Sequence, residues 1–162
     1  MNILFVDDSM VFLETFTELC TVLSNRAWGI ERAVSVECAI AVLQSKPIAL
    51  VVVDLGMPMM DGFRLVSQIR QHDPATKIAV MTGDATDRKR DEALTAGAEL
   101  FLEKPVTPAG IRLVFSRLND LLDRPPQAES RGTARAAGGP DADFAVLSSC
   151  AEKWNKSDER KK

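Results

Sequence analysis

Two hydrophobic rhythms alternate over residues 1–123. Ile3-Leu4-Phe5-Val6 is a short apolar run that ends in acids. Behind it Val11, Phe12, Phe16, Leu19, Cys20 and Leu23 recur at helical spacing, which predicts a helix over 10–23. Residues 30–34 form a weaker strand candidate. Ser35 can cap a helix that runs through Ala39, Ile40 and Leu43 toward Pro47. Residues 49–53 are apolar at consecutive positions, the pattern of a parallel strand covered on both faces. Phe63, Leu65, Val66 and Ile69 predict the next helix, 77–81 a fourth strand, and 85–96 a polar helix stopped by Gly97. A fifth strand is expected over 99–102. Thr107 and Pro108 supply an N-cap and a first-turn proline for a last helix over 111–122.

Strand-then-helix units repeated in this way call for a parallel sheet with helices on both faces. Such sheets bind ligands outside the carboxyl ends of their strands. Asp7 and Asp8 follow the first strand, Asp54 the third, Thr82 and Gly83 the fourth, and Lys104 and Pro105 the fifth. Carboxylates, a hydroxyl and an ammonium then share one edge. Clustered carboxylates repel one another. A divalent cation that prefers oxygen ligands, such as Mg²⁺, offsets that repulsion. Asp54 is then a candidate nucleophile toward phosphorus. The cation, Lys104, Thr82 and backbone N–H groups can neutralise the charge of the transition state. Singly, each residue has an ordinary role. Asp7, Asp8 or Ser9 can cap the first helix, Asp54 can precede the Gly56-Met57-Pro58 turn, and Lys104 can be a solvated lysine. Their joint placement favours the chemistry.

The motifs are Leu4-Phe5-Val6-Asp7-Asp8-Ser9, Val52-Val53-Asp54-Leu55-Gly56-Met57-Pro58-Met59-Met60-Asp61-Gly62, Met81-Thr82-Gly83 and Phe101-Leu102-Glu103-Lys104-Pro105. In this order and spacing, residues 1–123 resemble the receiver domain of bacterial two-component response regulators. The resemblance implies a CheY-like, flavodoxin-like α/β fold, a five-stranded parallel sheet in the order 2-1-3-4-5 flanked by five helices. It implies that Asp54 accepts a phosphoryl group from a sensor histidine kinase or a histidine phosphotransfer protein. It assigns Mg²⁺ to Asp7, Asp8, Asp54 and the backbone carbonyl of Gly56. Lys104 pairs with the phosphoryl group, Thr82 (beside Gly83) swings toward it, and Phe101 follows into the vacated space. The face made by the fourth helix, fifth strand and fifth helix then docks a downstream protein target, or forms a homodimer. Two departures stand out. Phe101 occupies a position where tyrosine is common, and Gly56 and Asp84 occupy the positions that tune phosphoryl hydrolysis in the family.

Composition narrows the remaining choices. Hydrophobic residues are 46%, charged residues 27% and the net charge is -3, which excludes wholesale disorder and gives no general pull toward nucleic acid or a membrane. The longest apolar run, 48–53, is far short of the ~20 residues of a bilayer span. The N-terminal residues have no basic region and do not read as a secretory signal. Cys20, Cys38 and Cys150 fit neither a disulfide framework nor a zinc site, and a cytoplasmic location is expected. Cys20 and Cys38 read as core, His72 as a solvated loop residue and Arg88-Lys89-Arg90 as a solvated helix face, with a share in a docking surface as its alternative.

Residues 124–162 open with Arg124-Pro125-Pro126 and continue through Gly138-Gly139-Pro140, which reads as a flexible linker and tail too small for an effector domain. Phe144, Leu147, Ala151 and Trp154 leave a short helix over 142–154 and a frayed tail as alternatives. The expected function is a phosphorylation-dependent signalling switch, not an enzyme. The alternatives are a phosphorelay intermediate or phosphate sink, an adaptor that is never phosphorylated, and a phosphatase of the haloacid dehalogenase type. The last needs a second acid where Gly56 stands.

Overall fold

The computed structural model describes residues 1–57 and 62–125. The expected linker and tail beyond residue 125, the helix over 142–154, Cys150 and the 58–61 part of the Asp54 motif lie outside the described residues. The elements are β1 (Asn2–Val6), α1 (Met10–Leu23), β2 (Gly29–Ala33), α2 (Val36–Ser45), β3 (Leu50–Val53), α3 (Gly62–His72), β4 (Lys77–Thr82), α4 (Asp87–Ala96), β5 (Leu100–Glu103) and α5 (Pro108–Asp123). All strands pair in parallel, in the order β2-β1-β3-β4-β5, as the resemblance implied. Chain order reverses between β1 and β3, so the carboxyl end of that pair is the switch-point crevice.

The two-residue period of the strands divides the core into two layers. Leu4, Val6, Val51, Val53, Ile78 and Val80 meet α2, α3 and α4. Ile3, Phe5, Leu50, Val52, Ala79 and Met81 meet α1 and α5. Every residue of β3 is buried, which is why its sequence is apolar without alternation. Burying a Val or Leu side chain contributes roughly 1.5–3 kcal/mol, so this central strand is a large share of what holds the sheet. Among the described residues no helix is long and apolar enough to cross a membrane.

Helix starts follow their caps. Ser9, Ser35, Thr86 and Thr107 accept from the backbone N–H groups of Phe12, Cys38, Lys89 and Gly110 at 3.3, 3.2, 3.3 and 3.1 Å. Ser35 and Thr107 act as expected. Thr86 corrects the start of α4 from 85 to Asp87. Gly97, at φ 114°, ends that helix in the left-handed region as expected. Strand ends shift by a residue because ladder partners set them, not the apolar run; Gly29 enters β2 opposite Asn2. His72 is the last residue of α3 instead of a loop residue. Cys20 is fully buried, which pushes its thiol pKa up to about 12, whereas Cys38 is only half-buried.

Candidate functional site

Ladder hydrogen bonding continues one residue past the strand ends. Asp7 N–H donates to the Ala33 carbonyl at 3.0 Å, Asp54 N–H to that of Val6 at 2.9 Å, and Lys104 N–H to that of Thr82 at 2.8 Å. The pleat therefore carries on into the site. Asp7 follows Ile3 and Phe5, Asp54 follows Leu50 and Val52, and Lys104 follows Leu100 and Leu102, all toward the α1–α5 layer. Thr82 follows Ile78 and Val80 toward the other layer, where Phe101 packs. One period-two rule thus gathers two acids and the lysine on one side and sets the hydroxyl and the ring on the other.

Carboxylate oxygens of Asp7, Asp8 and Asp54 lie within 4.8 Å of one another. Asp7 and Asp54 are buried and Asp8 is exposed. The Asp7 carboxylate accepts the Ser9 N–H at 2.9 Å, and the Asp54 carboxylate accepts the Gly56 N–H at 2.9 Å. Each acid is thus oriented by the amide two residues on, an Asx-type turn. Lys104 Nζ donates to Asp54 Oδ2 at 2.8 Å and sits 2.7 Å from Asp7 Oδ2. Among the described residues the Lys104 ammonium is the partner of that buried Asp7 oxygen, and it is shared with Asp54. Burial pushes the Asp7 carboxyl pKa up, against the pull of Lys104 and the Ser9 amide, and the Asp54 charge adds to the rise. Burial works to lower the Lys104 pKa, but Asp54 and Asp7 outweigh it and the net shift is upward. A buried carboxylate oxygen that shares one lysine with Asp54, beside two further acids, suits a hard cation that takes oxygen ligands.

Gly56 and Gly62 keep space open around Asp54. A Cβ on Gly56 would lie 3.2 and 3.3 Å from the two Asp54 carboxylate oxygens. One on Gly62 would come within 2.8 Å of the Asp54 backbone carbonyl, closer than packed atoms tolerate. Nothing crowds Gly83, so it has no such steric duty. Thr82 is fully buried, and its Oγ1 accepts the Asp84 N–H at 3.3 Å.

Phe101 is buried in the α4-side layer, under the Arg90 guanidinium at 5.3 Å from the ring centroid. The Arg88-Lys89-Arg90 run is therefore more than a solvated face. Arg90 covers Phe101, Lys89 pairs with Asp84 at 2.8 Å, and exposed Arg88 pairs with Glu92 one turn on. Sequence reasoning missed Phe12, which it counted only as an apolar helix position. Its ring centroid lies 4.8 Å from Lys104 Nζ. The available signal was its place in the first turn after the acid pair, above the carboxyl end of β1.

The model of the response regulator receiver domain matches residues 3–115. The chain belongs to that family. The photosynthetic apparatus regulatory protein RegA of Rhodobacter capsulatus is 29% identical over 126 residues, which cover 78% of this chain and 67% of RegA. The two-component response regulator ORR11 of Oryza sativa subsp. indica is also 29% identical, over 72% of this chain and 80% of its own length. Among solved structures, a CheY-like receiver domain protein from Methanospirillum hungatei JF-1 superposes with a TM-score of 0.66. It is 25% identical and covers 75% of this chain and 93% of its own. Receiver domains are regulatory phosphoacceptors in two-component signalling. They bind Mg²⁺ at an acidic pocket and interact with histidine kinases or phosphotransfer proteins and with downstream targets.

Proposed function

We propose that residues 1–123 form a phosphorylation-dependent switch in which Asp54 is the phosphoacceptor. The observation that carries this reading is the convergence of Asp7, Asp8, Asp54 and Lys104 on one pocket. An Asp54 carboxylate oxygen forms the new O–P bond with its own electron pair. The P–N bond of the donor phosphohistidine breaks, its electron pair stays on the imidazole, and that nitrogen takes up a proton. Asp7, Asp8, Asp54 and the Gly56 carbonyl are the groups that would hold Mg²⁺, which when bound neutralises charge on the phosphoryl oxygens. Lys104 Nζ, already on Asp54, pairs with the phosphoryl group as charge builds there. The Gly56 N–H holds the attacking carboxylate in orientation.

The new dianion draws the Thr82 hydroxyl toward it. Thr82 moves beside Phe101 and Arg90, so the effect is read out on α4, β5 and α5. Exposed Leu94 in α4, Val106 in the loop after β5 and Leu113 in α5 offer apolar contacts to a protein partner or a second copy. The phosphatase alternative lacks its second acid, because Gly56 stands at that position.

Acetyl phosphate with Mg²⁺ should add one phosphoryl group to the folded protein, read by intact mass, and Asp54→Asn should abolish it. An unmodified wild-type mass would instead favour an adaptor that is never phosphorylated. Turnover of unrelated phosphate monoesters would favour the phosphatase.

A further inference from the structure

We infer that Phe12 is a positioning residue for Lys104 and keeps its ammonium in the pocket while the carboxylates change partners. The inference rests on the proposed role of Asp54. Among the described residues Lys104 Nζ has three neighbours of consequence: Asp54 Oδ2 at 2.8 Å, Asp7 Oδ2 at 2.7 Å and the Phe12 ring, its centroid at 4.8 Å. The lysine side chain is 19% exposed, so the ring acts on a largely desolvated cation, where the attraction of a π-face is strongest.

The ring is itself held in place. Phe12 stacks on Phe16 with centroids 5.3 Å apart and planes at 13°, and Phe16 meets Phe5 edge-on at 5.6 Å. Phe5 lies in β1, two residues before Asp7. Its aromatic column therefore references the ammonium to the same strand that presents the acid. The Phe12 N–H is also the group that Ser9 caps, which fixes the ring's place in the first turn of α1.

A cation that takes Asp7 Oδ2 as a ligand would share it with Lys104 or take it over. Lys104 then loses an ionic contact just before it is needed beside the phosphoryl group. Water would offer the freed ammonium a competing home outside the pocket. The Phe12 face offers one inside, and it places no oxygen there to compete for the metal. An aliphatic side chain of similar volume can fill the space but has no such attraction for charge.

Stepwise fluorination of the Phe12 ring tests this, because it withdraws charge from the face with little change in shape. In the full chain, the rate of Mg²⁺-dependent labelling by acetyl phosphate should fall progressively with each added fluorine. Phe12→Leu should be slower by on the order of tenfold, and Phe12→Tyr should restore most of the rate. Mg²⁺ affinity, followed by Mg²⁺-dependent thermal stabilisation, should stay level or rise across the series, since a loosened Lys104 competes less for Asp7. A rate unchanged within twofold across the fluorinated series would overturn the inference. So would a rate loss tracking loss of Mg²⁺ affinity or of folded protein, the mark of a packing role alone. Wild-type protein that takes no label on Asp54 would sink the underlying functional reading as well, which separates the two failures.

Discussion

At the amino end of the sheet, Arg70 donates to the carbonyl oxygens of Pro74 at 2.6 Å and Gly97 at 3.1 Å and pairs with Glu99 at 2.9 Å. Asp73 accepts the N–H groups of Ala75 and Thr76, Asn2 donates to the Pro47 carbonyl, and Lys77 donates to that of Arg124. At the carboxyl end the same residue types are arranged otherwise. Among the described residues three acids crowd together, and a single lysine serves both buried ones, Asp7 and Asp54. Charges at the amino end tie loops to strand starts and satisfy backbone groups. Those at the carboxyl end crowd three carboxylates around one lysine. A sheet with two such ends separates its stability from its chemistry, and neither has to be adjusted at the expense of the other.

Removing the largest amino-end network is the strongest challenge to that contrast. Arg70→Ala strands the carbonyls of Gly97 and Pro74 and leaves Glu99 without its partner. Charged hydrogen bonds of this kind are worth about 1.5–3 kcal/mol, so urea unfolding should show a loss near the upper end. Phosphorylation of the protein that remains folded should proceed at the wild-type rate. A labelling defect in that folded fraction would mean the two ends are not independent. Asp7→Asn should act with the opposite sign and less strongly. It removes a carboxylate whose ionised form is disfavoured by burial, and Lys104 keeps Asp54. Stability without divalent ions should rise by about 1 kcal/mol, while added Mg²⁺ should no longer stabilise the protein. If Asp7→Asn instead destabilises as much as Arg70→Ala, the carboxyl end is as structural as the amino end.

The contrast was half legible in the sequence. Strand-end acids could be placed because a parallel sheet has only one chemically useful edge, and the apolar run before Asp54 left little choice about where the strand ended. Ser35 and Thr107 were readable for the same reason: caps act within a few residues of themselves. Contacts between helices and strand ends were not. Phe12 over Lys104 and Arg90 over Phe101 depend on how α1 and α4 are rotated against the sheet, and apolar periodicity fixes a face but not the neighbour of one ring. Gly62 reads as a plain helix-start glycine until its approach to the Asp54 carbonyl is known. Arg70 and Glu99 are far apart in sequence and unremarked by any motif, yet they close the amino end of β5.

The finest distinction between the ends concerns Asp73. Its carboxyl pKa lies below the ordinary value of 3.8, chiefly through the Thr76 hydroxyl at 2.6 Å; burial opposes this, and the Ala75 and Thr76 amides and the Arg70 charge add to the lowering. A carboxyl depressed in the folded state stabilises the fold above the unfolded value, and that contribution is lost as pH falls through the folded value. Compensation keeps the effect small. Thr76 Oγ1 also lies 2.9 Å from the Ile48 carbonyl, and one hydroxyl proton cannot serve both acceptors. Once Asp73 is protonated it can donate to Thr76, whose own proton then turns to Ile48. Wild type and Asp73→Asn should therefore differ most in unfolding free energy near neutral pH and converge as pH drops below 3.8, with a gap smaller than that of Arg70→Ala throughout. Asp7, with its raised pKa, has the reverse sign: its ionised form weakens the fold at neutral pH, and protonation relieves it. The gap between Asp7→Asn and wild type should also close on acidification, but from the side of a more stable variant. Two gaps that close from the same side would show that burial at Asp7 does not carry the strain assigned to it.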